Sequence, residues 1–313
     1  MSLPLDLEHF DPRDPAFQAD PYPTYARLRA EAPVVRLCLR GITFYWVTRH
    51  DDVSAVLRDP RFSAAKVPLE MMAPGVPDSF RRLGDLLTRM LLVRDPPDHT
   101  RLRGLVNKAF TPRVVAGLRP RVERIVDELL DAVDPCRGMD AIRDLATPLP
   151  VIVIAELLGV ATSERDRFKE WSDQIAVVAD GSVRAAGLPA AATACAELSE
   201  YLRGELAARR RAPREDLLSR LLAAHEAEDA LSEEELIATA VLILLAGHET
   251  TTNLVGNGVL ALAEQPDAYA RLRREPALVP SCVEEVLRYD APVQLTSRVA
   301  REPVELRGQK IEA

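Results

Sequence analysis

The sequence has little cysteine, and its cysteines are far apart. The four are Cys38, Cys136, Cys195 and Cys282, and no two of them form a CxxC pair. Closely spaced cysteines are what zinc ribbons and small disulfide-stapled domains need. The sequence therefore excludes both classes and predicts a reduced, cytoplasmic chain.

The first residues lack the basic start and the apolar run of a secretory signal. They read MSLPLDLEHFDPRDPAF, which is rich in acids and prolines. An excess of basic residues is also missing, since 48 acidic and 40 basic residues give a net charge of −8. This acidity argues against nucleic acid as the main partner. The sequence shows neither a repeat of solenoid period nor a long low-complexity linker.

What is present is typical of a folded globular protein. Hydrophobic residues make up 47% of the chain, charged residues 28%, and the mean hydropathy is −0.07. With 313 residues the chain can bury a large core. One large domain and two ordinary domains are both permitted.

Strand patterns occur only near the two ends of the chain. VVRLCLRGITFYWVTR predicts a hairpin that turns at Arg40–Gly41, and VEL and KIEA predict two strands around Arg307–Gly308. Between Pro120 and Pro292 the periodicity is helical. The arginine-rich stretch 209–214 predicts a solvated loop between two surface helices, which is more common than an anion site.

One helix has an unusual composition. Ser232–Glu235 fits a capping box, and Leu236–Ala263 follows with Glu249 as its only charged residue. As a helix this run would be about 42 Å long, enough for a membrane span. However, polar residues from His248 to Asn253 fill its centre, where a bilayer would penalise them most. We therefore expect a buried helix of a globular protein.

The polar centre of this helix needs an explanation. A buried carboxylate at Glu249 costs several kcal/mol unless it is paired, consecutive threonines are poor helix formers, and Gly247 permits a close approach to the backbone. A satisfied polar cluster and a functional site are equally good explanations at this point. A zinc-protease HExxH site is excluded, because Thr252 stands where the second histidine would be.

Two further patterns carry charge at helical spacing. His99 and Arg103 lie four residues apart, with Arg101 between them, which suits a carboxylate or phosphate ligand. A solvated basic helix is the commoner explanation of such a pattern. Glu285 and Arg288 lie three apart, so an ion pair within one helical turn is available. Taken alone, this ExxR pattern is weak.

Taken together and in order, five stretches resemble the cytochrome P-450 superfamily of haem-thiolate monooxygenases, in its soluble bacterial form. They are DPYPTYARLRAEAPV, DPRFS, DPPDHTRLRGLVNKAFTPR, LLAGHETTTN and EEVLRYDAPVQLTSR. The resemblance implies a mainly α fold, with a large helical lobe and a small β-sheet region near both ends of this chain. It also implies that residues 1–313 are the front three-quarters of a single domain. In that domain 1–65 contain the hairpin, 66–290 form the helical lobe, and 291–313 begin a β region.

The resemblance assigns roles to the polar centre of the long helix. Glu249 and Thr250 match the catalytic acid–alcohol pair, which delivers protons to oxygen. Ala246 and Gly247 match the small residues beside the haem.

Other matched positions hold or support the cofactor, expected to be haem b. His99, Arg103 and Arg298 match residues that bind the haem propionates. Glu285 and Arg288 match a structural pair that supports the haem-binding core. Val293, Leu295 and the stretch 90–92 are expected to help line an apolar substrate pocket.

The sequence departs from the family at one place. The axial ligand of the iron should be a cysteine in a Phe-x-x-Gly-x-x-x-Cys loop well beyond ExxR, and none of the four cysteines has that context. The resemblance therefore implies a chain that stops before this loop, with no metal ligand of its own.

Two functions follow. The first is a monomeric monooxygenase, with no membrane segment, that oxidises a small hydrophobic molecule with O2 and two electrons from a ferredoxin and its reductase. It would be inactive as this fragment if the cysteine is absent. The second is a non-catalytic helical remnant that binds a hydrophobic ligand or nothing.

Overall fold

The computed structural model describes residues 14–39, 42–65, 76–179, 187–228 and 232–313. Two compact units make up the chain. One comprises residues 1–66 and 297–313, and the other comprises residues 67–296. Helices predominate and the strands are short and antiparallel, so the predicted mainly α class with small β regions near both ends is confirmed.

The described residues of the first unit form three helices and three strand pairs. The helices are α1 (Pro15–Ala19), α2 (Tyr22–Glu31) and α3 (His50–Arg58). The strands are β1 (Val34–Leu39), β2 (Ile42–Val47), β3 (Phe62–Ser63), β4 (Val299–Ala300), β5 (Val304–Leu306) and β6 (Gln309–Ile311). They pair as β1–β2, β3–β4 and β5–β6. The predicted hairpin is confirmed as β1–β2, whereas its Arg40–Gly41 turn lies outside the described residues.

Contacts within this unit join its N-terminal and C-terminal segments. Arg307 donates to a carboxylate oxygen of Asp52 at 2.5 Å, and the Tyr45 hydroxyl donates to the Lys310 carbonyl at 2.8 Å. Arg307 and Gly308 both have positive φ, which matches the twist of a tight two-residue hairpin. The strands predicted around this turn are confirmed as β5 and β6.

The second unit is helical. Its helices are α4 (Asp78–Arg89), α5 (Asp98–Ala109), α6 (Pro112–Asp131), α7 (Pro148–Leu158), α8 (Arg165–Ala179), α9 (Leu188–Arg211), α10 (Leu217–Glu228), α11 (Glu233–Glu264), α12 (Pro266–Arg274) and α13 (Val279–Tyr289). A π-helical turn, Ala141–Ala146, precedes α7. Helix α11 is the predicted long helix, and its capping box forms as expected: Ser232 accepts from the Glu235 amide, and Glu235 accepts from the Ser232 amide.

The main core surrounds the first half of α11. Leu236, Ala238, Val241 and Leu244 have no exposed surface and belong to a cluster with residues of α4, α5, α7, α8, α9 and α10. An apolar helix surface with no polar side must be covered by neighbours. Within the described ranges, no helix has the length and apolarity that a membrane crossing requires.

The predicted loop at 209–214 is wrong for its first three residues, because α9 continues to Arg211. The predicted solvation is wrong for Arg209, which is 1% exposed. Its guanidinium donates to Asp216 at 2.9 Å and to the Gly159 carbonyl at 2.9 Å, and it pairs with Glu205. Burial alone would raise the pKa of Asp216, but hydrogen bonds from Arg209 and Ser219 outweigh it and lower that pKa. A buried charge needs such full pairing, and sequence composition does not reveal it.

A substitution at Gly159, which ends α7, can test the packing around the buried Arg209–Asp216 ion pair. It has a φ of 73°, and a Cβ there would stand 2.1 Å from an Asp216 oxygen and 2.6 Å from an Arg209 nitrogen. We expect Gly159→Ala to lower the free energy of unfolding by about 3 kcal/mol, because backbone strain and a clash with a buried ion pair combine. Chemical denaturation measures the loss.

The control is Gly204→Ala on α9, where nothing lies within 4 Å of the new Cβ. It should leave stability unchanged or raise it by up to about 1 kcal/mol. Equal effects of the two substitutions would contradict the close approach at Gly159.

Candidate functional site

Helix α11 changes from buried to partly exposed at Ala246, where it leaves the core. Its residues from Leu236 to Leu245 are buried, with Ile243 partly so, whereas Ala246, Glu249 and Asn253 are exposed and Thr250 is partly exposed. These four positions follow the i, i+3, i+4, i+7 spacing of one helical face. We call this set the open face of α11. It contains three of the residues that the sequence assigns to catalysis or haem contact.

The Thr250 hydroxyl bonds back to its own helix. It donates to the Ala246 carbonyl, one turn earlier, at 2.5 Å. Such a bond satisfies the hydroxyl in an otherwise apolar helix. The α-helix continues through this turn to Glu264.

The apolar surroundings predict a buried Glu249, and this expectation is wrong. Its side chain is exposed on the open face. The desolvation cost that seemed to demand a partner is therefore small. A carboxylate that water can reach is able to take up and release protons.

The sides of the same turn are packed against neighbouring helices. A Cβ on Gly247 would stand 2.3 Å from the Cδ1 atom of Ile154 in α7. Gly247 thus has a packing reason for its size, and its contact with haem stays a prediction. On another side, the Nδ1 atom of buried His248 lies 3.3 Å from the hydroxyl of Ser172 in α8.

Sequence reasoning missed the Ser172 contact. A signal for it exists in the sequence, because Ser172 lies at helical spacing from Phe168 and Ile175, which are apolar. All three side chains are completely buried. A lone hydroxyl in a buried stripe needs a partner.

His99 and Arg103 lie on one face of α5, as predicted. Within the described part of the chain, no hydrogen bond or ion pair engages the His99 ring or the Arg103 guanidinium. Arg101 lies on another face and donates to Glu235 at 2.6 Å. Arg101 therefore holds the start of α11, whereas His99 and Arg103 remain able to bind an anion.

Glu285 and Arg288 form the ion pair that their spacing permits. Two hydrogen bonds of 2.6 and 2.8 Å join them, and the hydrogen bond from Arg288 lowers the pKa of Glu285. Both side chains are exposed. Helix α13, which carries the pair, packs on the second half of α11, where Asn257 donates to the Asp290 carbonyl at 3.0 Å. The pair's role as haem-core support stays a prediction.

The remaining predicted site residues lie outside α5, α11 and α13. Arg298 belongs to the first unit, where it donates to the Ser297 carbonyl, and its assignment to a propionate stays a prediction. Val293 and Leu295 are exposed. In the stretch 90–92, Met90 is buried in the main core and Leu92 is 66% exposed. The role of these residues in lining an apolar substrate pocket stays a prediction.

The four cysteines differ in environment. Cys38 and Cys136 are exposed, Cys282 is partly buried, and Cys195 is buried in α9. Burial raises the pKa of the Cys195 thiol to about 11. A thiol that ligates a metal does so as the thiolate, which this environment disfavours.

Comparison with known proteins gives consistent similarities. The family model described as cytochrome P-450 matches residues 190–313. The chain is 43% identical to cytochrome P-450 monooxygenase PikC of Streptomyces venezuelae, covering 95% of this chain and 69% of PikC. It is 42% identical to vitamin D(3) 25-hydroxylase of Pseudonocardia autotrophica, covering 95% and 71%. The crystal structure of CalO2 superposes with a TM-score of 0.88 at 36% identity, covering 97% of this chain and 75% of CalO2.

The close packing at Gly247 can be tested without any cofactor. We expect Gly247→Ala to lower the free energy of unfolding by about 1–2 kcal/mol, because the new methyl overlaps Ile154. Ile154→Val removes the overlapping atom and costs about 1 kcal/mol by itself. The double variant should be no less stable than Ile154→Val alone.

Gly104→Ala on α5, with open space at its Cβ, controls for helix propensity. Additive losses in the double variant, measured by denaturant titration, would contradict the contact.

Proposed function

Because this chain belongs to the cytochrome P-450 family of haem monooxygenases, we propose that its open α11 face serves the oxidation of a small hydrophobic molecule. The observation that carries this proposal is the grouping on one face of Ala246, Glu249 and Thr250, with the Thr250 hydroxyl turned onto the Ala246 carbonyl. A catalytic acid and alcohol need access from outside the core. The other sides of the same turn are packed.

His99 and Arg103 fit the role of residues that bind the propionates of a haem. Haem b carries two propionates, and His99 and Arg103 would hold them through charge-assisted hydrogen bonds. In support, these two side chains share one helical face and make no hydrogen bond or ion pair within the described residues. Haem supplies the oxidising chemistry when it is bound.

None of the four cysteines fits the role of the thiolate ligand that a haem of this family would need. Cys195 is buried with a raised thiol pKa, Cys38 and Cys136 are exposed, and Cys282 lies on α13 three residues before Glu285. We therefore infer that the 313-residue polypeptide does not form a thiolate-ligated haem protein and is inactive by itself. The same observation favours the second candidate, a non-catalytic helical protein, for this polypeptide alone.

The roles of the chain's own residues follow from their exposure and hydrogen bonds. Glu249, exposed on the open face, would hold and release a proton. Thr250 would accept a hydrogen bond from a donor on the open face and so orient that donor. Ala246 would leave room for a bound molecule on the open face, because its side chain is a single methyl group.

Substrate and electron donor are inferred from the family. An apolar substrate agrees with the relative named for vitamin D(3) hydroxylation. We propose that electrons come from a ferredoxin and its reductase, as is general in bacterial members, and that O2 is the second substrate. We propose further that the protein acts in the cytoplasm as a monomer.

The first test concerns ligation. We expect the 313-residue polypeptide, incubated with haem, reduced and exposed to carbon monoxide, to lack the absorbance band of a thiolate-ligated haem, because none of its cysteines suits the role of a thiolate ligand. Intact PikC, treated identically, is the positive control. Appearance of the band would refute the inference, and its loss in Cys282→Ser or Cys195→Ser would identify the ligand.

The second test concerns Thr250. In a chimera that joins residues 1–313 to the part of PikC that follows its matched region, we expect Thr250→Ala to lower product formed per electron consumed by about tenfold, because proton delivery becomes uncontrolled. The measurement is product against reduced nicotinamide consumed. Thr251→Ala, one position away and off the open face, is the matched control and should retain coupling. Equal coupling in all three proteins would remove Thr250 from its role.

A further inference from the structure

The contact between His248 and Ser172 joins α11 to α8 at the turn that carries Glu249 and Thr250. The Ser172 hydroxyl and the Nδ1 atom of His248 are 3.3 Å apart. Ser172 has no exposed surface, and His248 is 5% exposed. The pair is therefore a buried polar contact between two helices.

The buried face of α8 beside the pair is apolar apart from Ser172, whereas Asp173 and Lys169 of the same helix lie nearby with exposed side chains. Phe168, Trp171, Ser172 and Ile175 form the buried stripe of α8, and Ser172 is its only hydroxyl. A buried polar pair in an apolar helix contact specifies register, because sliding one helix along the other leaves both groups without partners. Leaving a buried polar group unsatisfied is costly.

The charge state of His248 is consistent with a neutral hydrogen-bonding role. Burial lowers its pKa, the nearby Asp173 carboxylate acts in the opposite direction, and Lys169 acts with burial. The carboxylate lies 3.7 Å from Nδ1 and is itself paired with Lys169 at 2.6 Å. At neutral pH the ring is therefore uncharged.

His248 lies on the side of α11 opposite the open face. Successive residues of an α-helix are about 100° apart, so His248 points away from the open face that Ala246, Glu249 and Thr250 share. The contact with Ser172 therefore supports the catalytic turn from behind. Gly247 and Ile154 hold an adjacent side of the same turn.

We propose that His248 is a positioning residue: its hydrogen bond to Ser172 fixes the register of α8 on α11 and so holds the turn that presents Glu249 and Thr250. The proposal rests on the proposed function for the roles of those two residues. The contact itself can be measured in the 313-residue chain without haem or activity. A failed register test would therefore leave the proposed function standing.

The experiment is hydrogen exchange of the 313-residue chain at neutral pH. In His248→Leu, we expect exchange in residues 246–253 and 168–176 to rise about tenfold, while residues 236–242 stay protected. His248→Asn has the shape of the leucine variant but keeps a polar atom near the position of Nδ1, so it should retain the wild-type pattern. Equal exchange in the Asn and Leu variants would overturn the proposal.

A double variant separates positioning from simple satisfaction of buried groups. Ser172→Ala combined with His248→Leu leaves neither helix with an unpaired polar group at this contact, so the free energy of unfolding should recover towards the wild-type value. Exchange in 246–253 should nevertheless remain about tenfold raised, because the polar contact that specifies the register of α8 on α11 is gone. Wild-type exchange in the double variant would overturn the proposal. It would show that the hydrogen bond only compensates the burial of two polar groups and does not fix the register of the helices.

Discussion

Burial of the first half of α11 is the constraint on which the helical unit depends. Its residues from Leu236 to Leu245 lie in a shell of helices, and several have no exposed surface. Each fully buried leucine or isoleucine contributes about 1.5–3 kcal/mol. The capping box at Ser232 and the ion pair between Arg101 and Glu235 fix where this segment starts. These two contacts set the position of the start of α11 relative to α5.

Because the start is fixed, the point where α11 leaves the core is fixed too. That point is Ala246, and the polar residues follow at once. Ile154 fills the space beside Gly247, and Ser172 lies against His248, so two sides of the turn are closed. The open face is the remainder. The candidate site therefore begins where the core ends. Gly247 and His248 are explained by their contacts with neighbouring helices, whereas Glu249 and Thr250 lie on the face that those helices leave open.

Local features were predictable from the sequence, and long-range ones were not. The capping box, the terminal strands and the Glu285–Arg288 pair depend on residues within a few positions of each other. The burial of Arg209 depends on a distant carbonyl, that of Gly159, as well as on nearby acids, and the exposure of Glu249 depends on which helices pack around its turn. Composition predicts the opposite of each. The family resemblance supplied the roles of His99 and Arg103, since charge spacing alone favoured a solvated helix.

The hydrogen bond of Thr250 limits what its hydroxyl can do on the open face. A threonine hydroxyl has one proton to donate and two lone pairs that accept. The proton is committed to the Ala246 carbonyl at 2.5 Å, so in this conformation Thr250 can accept a hydrogen bond but cannot donate one. Glu249, exposed one residue earlier, is the ionisable side chain among the four residues of this face. In the proposed function the acid would therefore move protons, and the alcohol would orient the donor, such as water, that carries them.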